Sequence, residues 1–425
     1  MPTCHLNATP NAITTRTRRS GRELALTDRS SHGADPASSA IHQLEPLDAV
    51  IRVDAPQELT HSSFALAGLF DLEHAGLVRR VDINPFRSMH RGELTLKRSG
   101  QLEQPEYRAK STTFFTVQRG NHSIQCAIDF RDSARIFALE ALTDCDLFFK
   151  RSFEPELVDS ITSRIHGHVE PFGLCLGAES PHSRHRTARW LGYWGAATKD
   201  SLRPDRELLA RAQRHWNLNL AHWRATRSHP SSEYLRALGP ETTSRTEPGT
   251  VFFQTRSFNR TDDSDANEIH EQRAQLIRAL RTEFGPSFIG GFISDDLVRE
   301  RYPDCVTNVP SDKASYFRAM HGASVAVYTR GLADSAAFKL SEYFAHGKCV
   351  VGEPLQTTLP KHLEDGIEWR TFTSLDECVE TCRALLADPE RRASLSGNGR
   401  RYYERWIDPM VSMHRVVRRA VEFIP

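Results

Sequence analysis

The chain has 425 residues, of which 55 are basic and 54 acidic. This near-neutral balance argues against a nucleic-acid binder and gives no reason to expect a strongly acidic partner. No run of about 18 apolar residues occurs, so no membrane span is expected, and the length suits two domains of ordinary size.

Residues 1–46 read as an extension. Met1 to Arg22 carries Arg16, Arg18, Arg19 and Arg22 without one acid, and 27–40 is rich in Ser, Asp and Ala. It has no apolar core of a secretory signal. The composition predicts a disordered tail, with an organelle transit peptide as the second reading.

Residues 47–230 read as a first domain. Asp48–Val53, Val78–Ile83, Phe114–Val117, Ile124–Ile128 and Cys145–Phe149 have the apolar, β-branched character of strands. Phe64–Ala75 and Arg135–Leu142 read as helices, and Arg119-Gly120-Asn121 as a turn. The HGH at 166–168 and the HSRH at 182–185 have no matching carboxylates and read as loop histidines. From Arg184 to Arg227 the pattern is helical and basic, with Trp190, Trp194, Trp216 and Trp223 at core-like spacings. Residues 231–248, rich in Ser, Thr and Pro, read as a hinge.

Residues 249–390 read as a second domain of stricter alternation. Val251–Phe253, Phe288–Phe292 and Cys305–Val309 are predicted strands. Between them, Asp265 and Glu268 resemble a capping box for a helix that ends at Gly285-Pro286. Asp295–Arg301 and a helix capped by Ser311 follow. The most informative stretch is SVAVYTRGLADSAAFKLSEYFAHGKCVVGEP, Ser324 to Pro354. It reads as strand, turn, helix, Gly347 stop and strand. Arg330, Gly331 and Leu332 fall at the carboxyl end of the first strand, where open α/β sheets bind ligands. Ser335 is placed to cap the helix and present its N-terminus to a phosphate. Lys339, Glu342, Tyr343 and His346 share one helical face. Leu375–Leu386 is a further amphipathic helix, and 391–425 reads as C-terminal helices broken at Asp408-Pro409. The repeated strand–helix units predict an α/β fold with right-handed crossovers.

The eight cysteines form no CxxC pair. They read as reduced, buried thiols in a cytoplasmic protein, with no metal site or cofactor expected.

Residues 250–405 resemble the donor-binding half of a GT-B glycosyltransferase, in the style of the retaining group with an acidic-x7-acidic motif. The residues that carry this are Asp334, Glu342 and Gly347-Lys348-Cys349-Val350-Val351. The run from Ser324, and DLFFKRSF at 146–153, are also similar to a bacterial and algal branch. The resemblance implies two Rossmann-like domains facing a central cleft. It implies a nucleotide-sugar donor and a hydroxyl acceptor, either a glycan, a glycoprotein or a small molecule. Glu342 would hold the donor ribose, and Asp334 would lie near the donor sugar. Arg256 would oppose the phosphates, with Arg260 or Lys339 in place of a missing Arg/Lys pair. Asp stands where the family has Glu at the first acidic position. Arg256, Lys339 and the helix start would stabilise the leaving phosphates without a metal. His61 and Asp129 are the first-domain groups considered as a base. Two other readings share the fold: a non-catalytic nucleotide-sugar-binding relative and a nucleotide-sugar epimerase.

Overall fold

The computed structural model describes residues 43–54, 59–84, 92–97, 99–104, 111–178 and 249–424 except 259–261, with isolated positions between 180 and 213. Residues 1–42 of the N-terminal extension, the four tryptophans Trp190, Trp194, Trp216 and Trp223, the hinge and Arg260 lie outside the described residues. The described residues belong to one compact unit.

The first half is built on a six-stranded mixed sheet of order β2-β1-β5-β6-β8-β9. Its strands are β1 (Val50–Asp54), β2 (Arg80–Asn84), β5 (Thr112–Arg119), β6 (His122–Asp129), β8 (Leu147–Lys150) and β9 (His168–Pro171). The outer pairs are parallel, as crossover units require. The hairpin β5–β6 is antiparallel and pairs antiparallel with β1. A small antiparallel sheet of order β4-β3-β7 joins β3 (Glu93–Leu96), β4 (Leu102–Glu103) and β7 (Ile136–Ala138). The predicted helix from Arg135 begins four residues late for this reason. Ile136 and Phe137 pair with β3 as a strand, and the helix α2 spans only Leu139–Asp144.

Helix α1 (Leu59–His74) buries Phe64, Leu66, Leu69, Phe70 and Leu72 completely. It is buried nearly all round, Ser62, Ser63 and Asp71 included, because it is covered on two sides. One cover is the sheet. The other is α10 (Pro409–Glu422), the last helix of the chain. At the crossing, a Cβ on Gly68 would stand 2.1 Å from the Pro409 carbonyl oxygen and 2.6 Å from Met413 Cγ. Alanine would normally stabilise a helix interior by about 0.5–1 kcal/mol over glycine. Here Gly68→Ala is expected to destabilise by about 1–3 kcal/mol through overpacking, read as a lower urea midpoint. An unchanged midpoint would mean that the two helices separate at little cost.

The second half is a fully parallel sheet of order β11-β10-β12-β13-β14. Its strands are β10 (Val251–Thr255), β11 (Phe288–Phe292), β12 (Val325–Tyr328), β13 (Cys349–Gly352) and β14 (Arg370–Thr371). Buried on both faces, β12, β13 and the first three residues of β10 read as apolar or aromatic runs, and β10 ends in buried Gln254 and Thr255. The connecting helices include α4 (Ser264–Phe284), α5 (Asp296–Arg301), α6 (Lys313–Gly322), α7 (Phe338–Ala345) and α8 (Leu375–Ala387). A short α3 (Pro155–Asp159) precedes β9, and α9 (Pro389–Tyr402) leads through a π turn to α10. The N-cap of α4 is Asp263, and that of α6 is Asp312 rather than Ser311. Cys305–Val309 does not form a strand; a single bridge joins Val306 to Phe292. A 3₁₀ turn at Pro303–Cys305 takes its first residue, and Pro310 has no N–H for a ladder.

The halves meet at the carboxyl end of β8. Buried Arg151 donates through Nη1 to the Phe130 carbonyl at 3.1 Å and to Asp132 at 2.8 Å, and through Nη2 to the Ala336 carbonyl. Its guanidinium lies 4.8 Å from the Phe338 ring centre. Phe153 and the 357–358 segment exchange backbone and hydroxyl hydrogen bonds at 2.8 Å.

Candidate active site

In the second sheet, β10 lies between β11, which follows it in sequence, and β12, which does not. The connections therefore leave β10 and β12 in opposite directions, and a crevice opens beyond their carboxyl ends. Its floor is set by Arg273 of α4, a buried residue whose role the sequence did not reveal. Arg273 donates to the Arg256 carbonyl at 3.0 Å, the Arg330 carbonyl at 2.9 Å and Thr329 Oγ1 at 3.2 Å. It thereby ties the end of β10 to the end of β12. Burial pulls its guanidinium down to about 10, against the opposing pull of Glu353. The available signal was its place in the stripe Ile269, Arg273, Leu276, Leu280, a cation at core spacing.

Lys339 and Glu342 stand one turn apart on α7, both half-buried. The Lys339 ammonium donates to the Gln254 carbonyl at the end of β10 and lies 5.8 Å from the Tyr316 ring centre. Burial first, then the charge of Arg273, pulls it down to about 7, with Glu342 opposing. Burial pushes the Glu342 carboxyl up, against Lys313, Lys339 and a hydrogen bond from Tyr316. Tyr343, on the same helix, is fully buried and stands edge-on to Phe252, their centres 6.4 Å apart. It backs the crevice from inside the core.

Helix α7 starts at Phe338, with Ala337 as an N-cap that contributes no side-chain bond. Ser335 does not cap it. The Ser335 carbonyl is held by the Gly331 N–H at 2.9 Å, and Tyr328 Oη accepts from the Ala337 N–H at 3.2 Å. These partners, upstream of the helix, hold 335 and 337 in extended backbone. Gly331 is needed for this close turn, since a Cβ there would lie 2.5 Å from Ser335 Oγ. Leu332 begins a 3₁₀ turn that ends at Asp334. Gly347 ends α7 with φ of 58°, as its sequence position predicts.

Arg256 is exposed at the mouth of the crevice. Arg330 is not. Its guanidinium is bound by Asp265 at 2.6 Å, Glu268 at 2.9 Å and Asp334 at 3.2 Å. Asp265 and Glu268 thus act on Arg330 rather than as a capping box. In the first half, Asp129 is fully buried against Lys150 at 3.2 Å and Arg131 at 3.7 Å, so its carboxylate is enclosed in a cationic pocket away from solvent. His61 lies edge-on to Phe338 at the start of α7, centres 5.5 Å apart.

Residues 272–423 match the family model described as glycosyl transferase-like. This glycosyl transferase-like segment includes Lys339, Glu342, Asp334 and the whole of α7 to α10. Solved structures similar to the chain include a sucrose-phosphate synthase from Thermosynechococcus elongatus, with 13% identity over 66% of this chain and 60% of that one, TM-score 0.35. HepE from Anabaena in complex with UDP and glucose matches at 11% identity over 70% of this chain and 98% of that one, TM-score 0.32. The C-terminal domain of the group 1 glycosyl transferase LpcC from Francisella tularensis matches at 12% identity over 38% and 86%, TM-score 0.26. The match thus spans less than two thirds of the synthase. No curated protein matches this chain.

Among the described residues, no three His, Cys, Asp or Glu side chains converge as metal ligands would, and no helix is long and apolar enough to cross a membrane. The seven described cysteines are buried free thiols.

Proposed function

We propose that the chain transfers a sugar from a nucleotide-sugar donor to a hydroxyl of a glycan, glycoprotein or small-molecule acceptor, without a metal. The observation that carries this is the Lys339–Glu342 pair, a cation and a carboxylate one turn apart at the switch point of a parallel sheet. Such a crevice takes a nucleotide. A carboxylate accepts from both ribose hydroxyls, and a cation meets the diphosphate. As the bond from the anomeric carbon breaks, its electron pair goes to the phosphate oxygen. Lys339 and exposed Arg256 oppose that charge. Asp334 would face the donor sugar. The acceptor hydroxyl would enter from the first half, on the side of His61, and release its proton there. Work in the cytoplasm is part of the proposal and accords with the buried thiols.

A thermal-shift screen with UDP-, GDP-, ADP- and CDP-glucose tests it. One nucleotide class should stabilise the protein by about 2.7 kcal/mol at a hundredfold excess over Kd. Glu342→Ala should weaken that ligand about ten- to a hundredfold, the worth of a hydrogen bond to a charged group. A folded protein that responds to none of the four would refute the donor site.

A further inference from the structure

Two consecutive residues without glycine's freedom, Ala333 and Asp334, hold φ of 54° and 58°. Left-handed geometry is unfavourable for L-residues, and two in a row persist only where the surroundings over-determine them. Asp265 supplies most of that constraint. Its Oδ2 accepts from the Ala333 N–H at 2.7 Å, and its Oδ1 binds Arg330 Nη1 at 2.6 Å. The same Arg330 nitrogen binds Asp334 at 3.2 Å. The Arg330 N–H donates to Glu353 Oε2 at 2.6 Å, and Gly331 closes the turn on Ser335. One carboxylate therefore grips the turn both directly and through Arg330. It sits on the first turn of α4, a helix of 21 residues anchored by buried Ile269, Leu276 and Ile277. Three carboxylates meet this one guanidinium, so its charge is consumed locally and is not offered to the donor phosphates.

We infer that Asp265 is a positioning residue: it latches Arg330 and the 333–334 turn to α4, and so fixes the direction in which Asp334 meets the donor sugar. The inference rests on the donor-site reading proposed above. The latch is specific to the sugar end of the donor. Lys339 and Glu342 lie on α7 and Asp265 on α4, so the nucleotide end should be independent of the latch. The fold does not depend on Asp265 to start α4, because Asp263 is the N-cap.

Two measurements on Asp265→Ala decide the matter. The first is amide hydrogen exchange over 330–335 in the ligand-free protein. Loss of the Asp265 acceptor should speed exchange at Ala333 about tenfold or more, with α4 and α7 unchanged. Ala333→Gly in the same background should restore part of the turn's order, because glycine takes the left-handed conformation without strain. The second is calorimetric binding of UDP, GDP, ADP and CDP, each beside its glucose conjugate. Kd for the bare nucleotide should stay within about twofold, while Kd for the sugar conjugate rises about tenfold. Unchanged exchange, or equal weakening of nucleotide and conjugate, would overturn the latch. A wild-type protein that binds none of the nucleotides would overturn the donor site instead, and the exchange result would still judge the latch.

Discussion

Lys339→Met is expected to lower kcat about a hundred- to a thousandfold, the cost of removing one charged donor aimed at a developing anion. Methionine keeps the length of the stem and removes the charge, so the crevice should stay formed. The pH dependence gives a second, independent signature. Burial holds the Lys339 ammonium down at about 7 in the empty protein. A diphosphate favours the protonated form. Affinity should therefore be full below pH 7 and fall as pH rises through 7, by up to about tenfold per unit until the pKa of the bound state is reached. Stability of the empty protein runs the other way. The unfolded chain titrates near 10.4, so between about 7 and 10.4 it binds the extra proton, and this group's contribution to stability rises with pH. Calorimetric titration of the nucleotide at pH 6, 7 and 8 reads the first trend. A profile that is flat in the wild type, or equally steep in Lys339→Met, would remove Lys339 from the phosphate site.

Arg151→Met is expected to destabilise the protein by about 3–5 kcal/mol. The substitution leaves the Phe130 and Ala336 carbonyls without their donor, at about 1–3 kcal/mol each. It also removes the guanidinium from the face of Phe338. The loss is concentrated where the two sheets meet, so the urea transition should broaden as the halves begin to unfold separately. Because Ala336 and Phe338 lead into α7, turnover should fall more than global stability alone predicts. A sharp transition with a midpoint near that of the wild type would show that the junction rests on other contacts.

What was legible in the sequence follows from what is local. Val251–Phe253, Val325–Tyr328 and Cys349–Val351 announce themselves because strands buried on both faces have no polar positions. The stop at Gly347 and the break at Asp408-Pro409 are equally local. The likeness of 272–423 to a glycosyl transferase-like family was legible too, from the run of strand, turn, helix and strand that starts at Ser324. What spacing cannot show is which distant group a polar residue answers. Asp265 and Glu268 have the form of a helix cap, yet both reach some 60 positions along the chain to Arg330. Ser335 has the form of a cap, yet its carbonyl serves Gly331 and the helix starts at Phe338. Arg273 looks like a flaw in an apolar stripe and is the tie between two strand ends. The mixed character of the first sheet was hidden for a related reason. Direction depends on which strands become neighbours, and a hairpin in the middle of a sheet reads locally like any other.

The return of α10 to α1 sets the terms on which parts of this protein can be exchanged. The order along the chain suggests a cut between 178 and 249, giving two modules. The packing gives a different boundary. The last helix follows the second sheet in sequence but completes the core of the first, and its Pro409 carbonyl fits only where Gly68 leaves room. A chimera that replaces everything after 249 would import a foreign helix against α1 and clash or leave a gap there. One that replaces 249–408 and keeps the native 409–422 would retain the matched pair. The transplantable unit is thus an insert between two segments of the first half, joined at both of its ends.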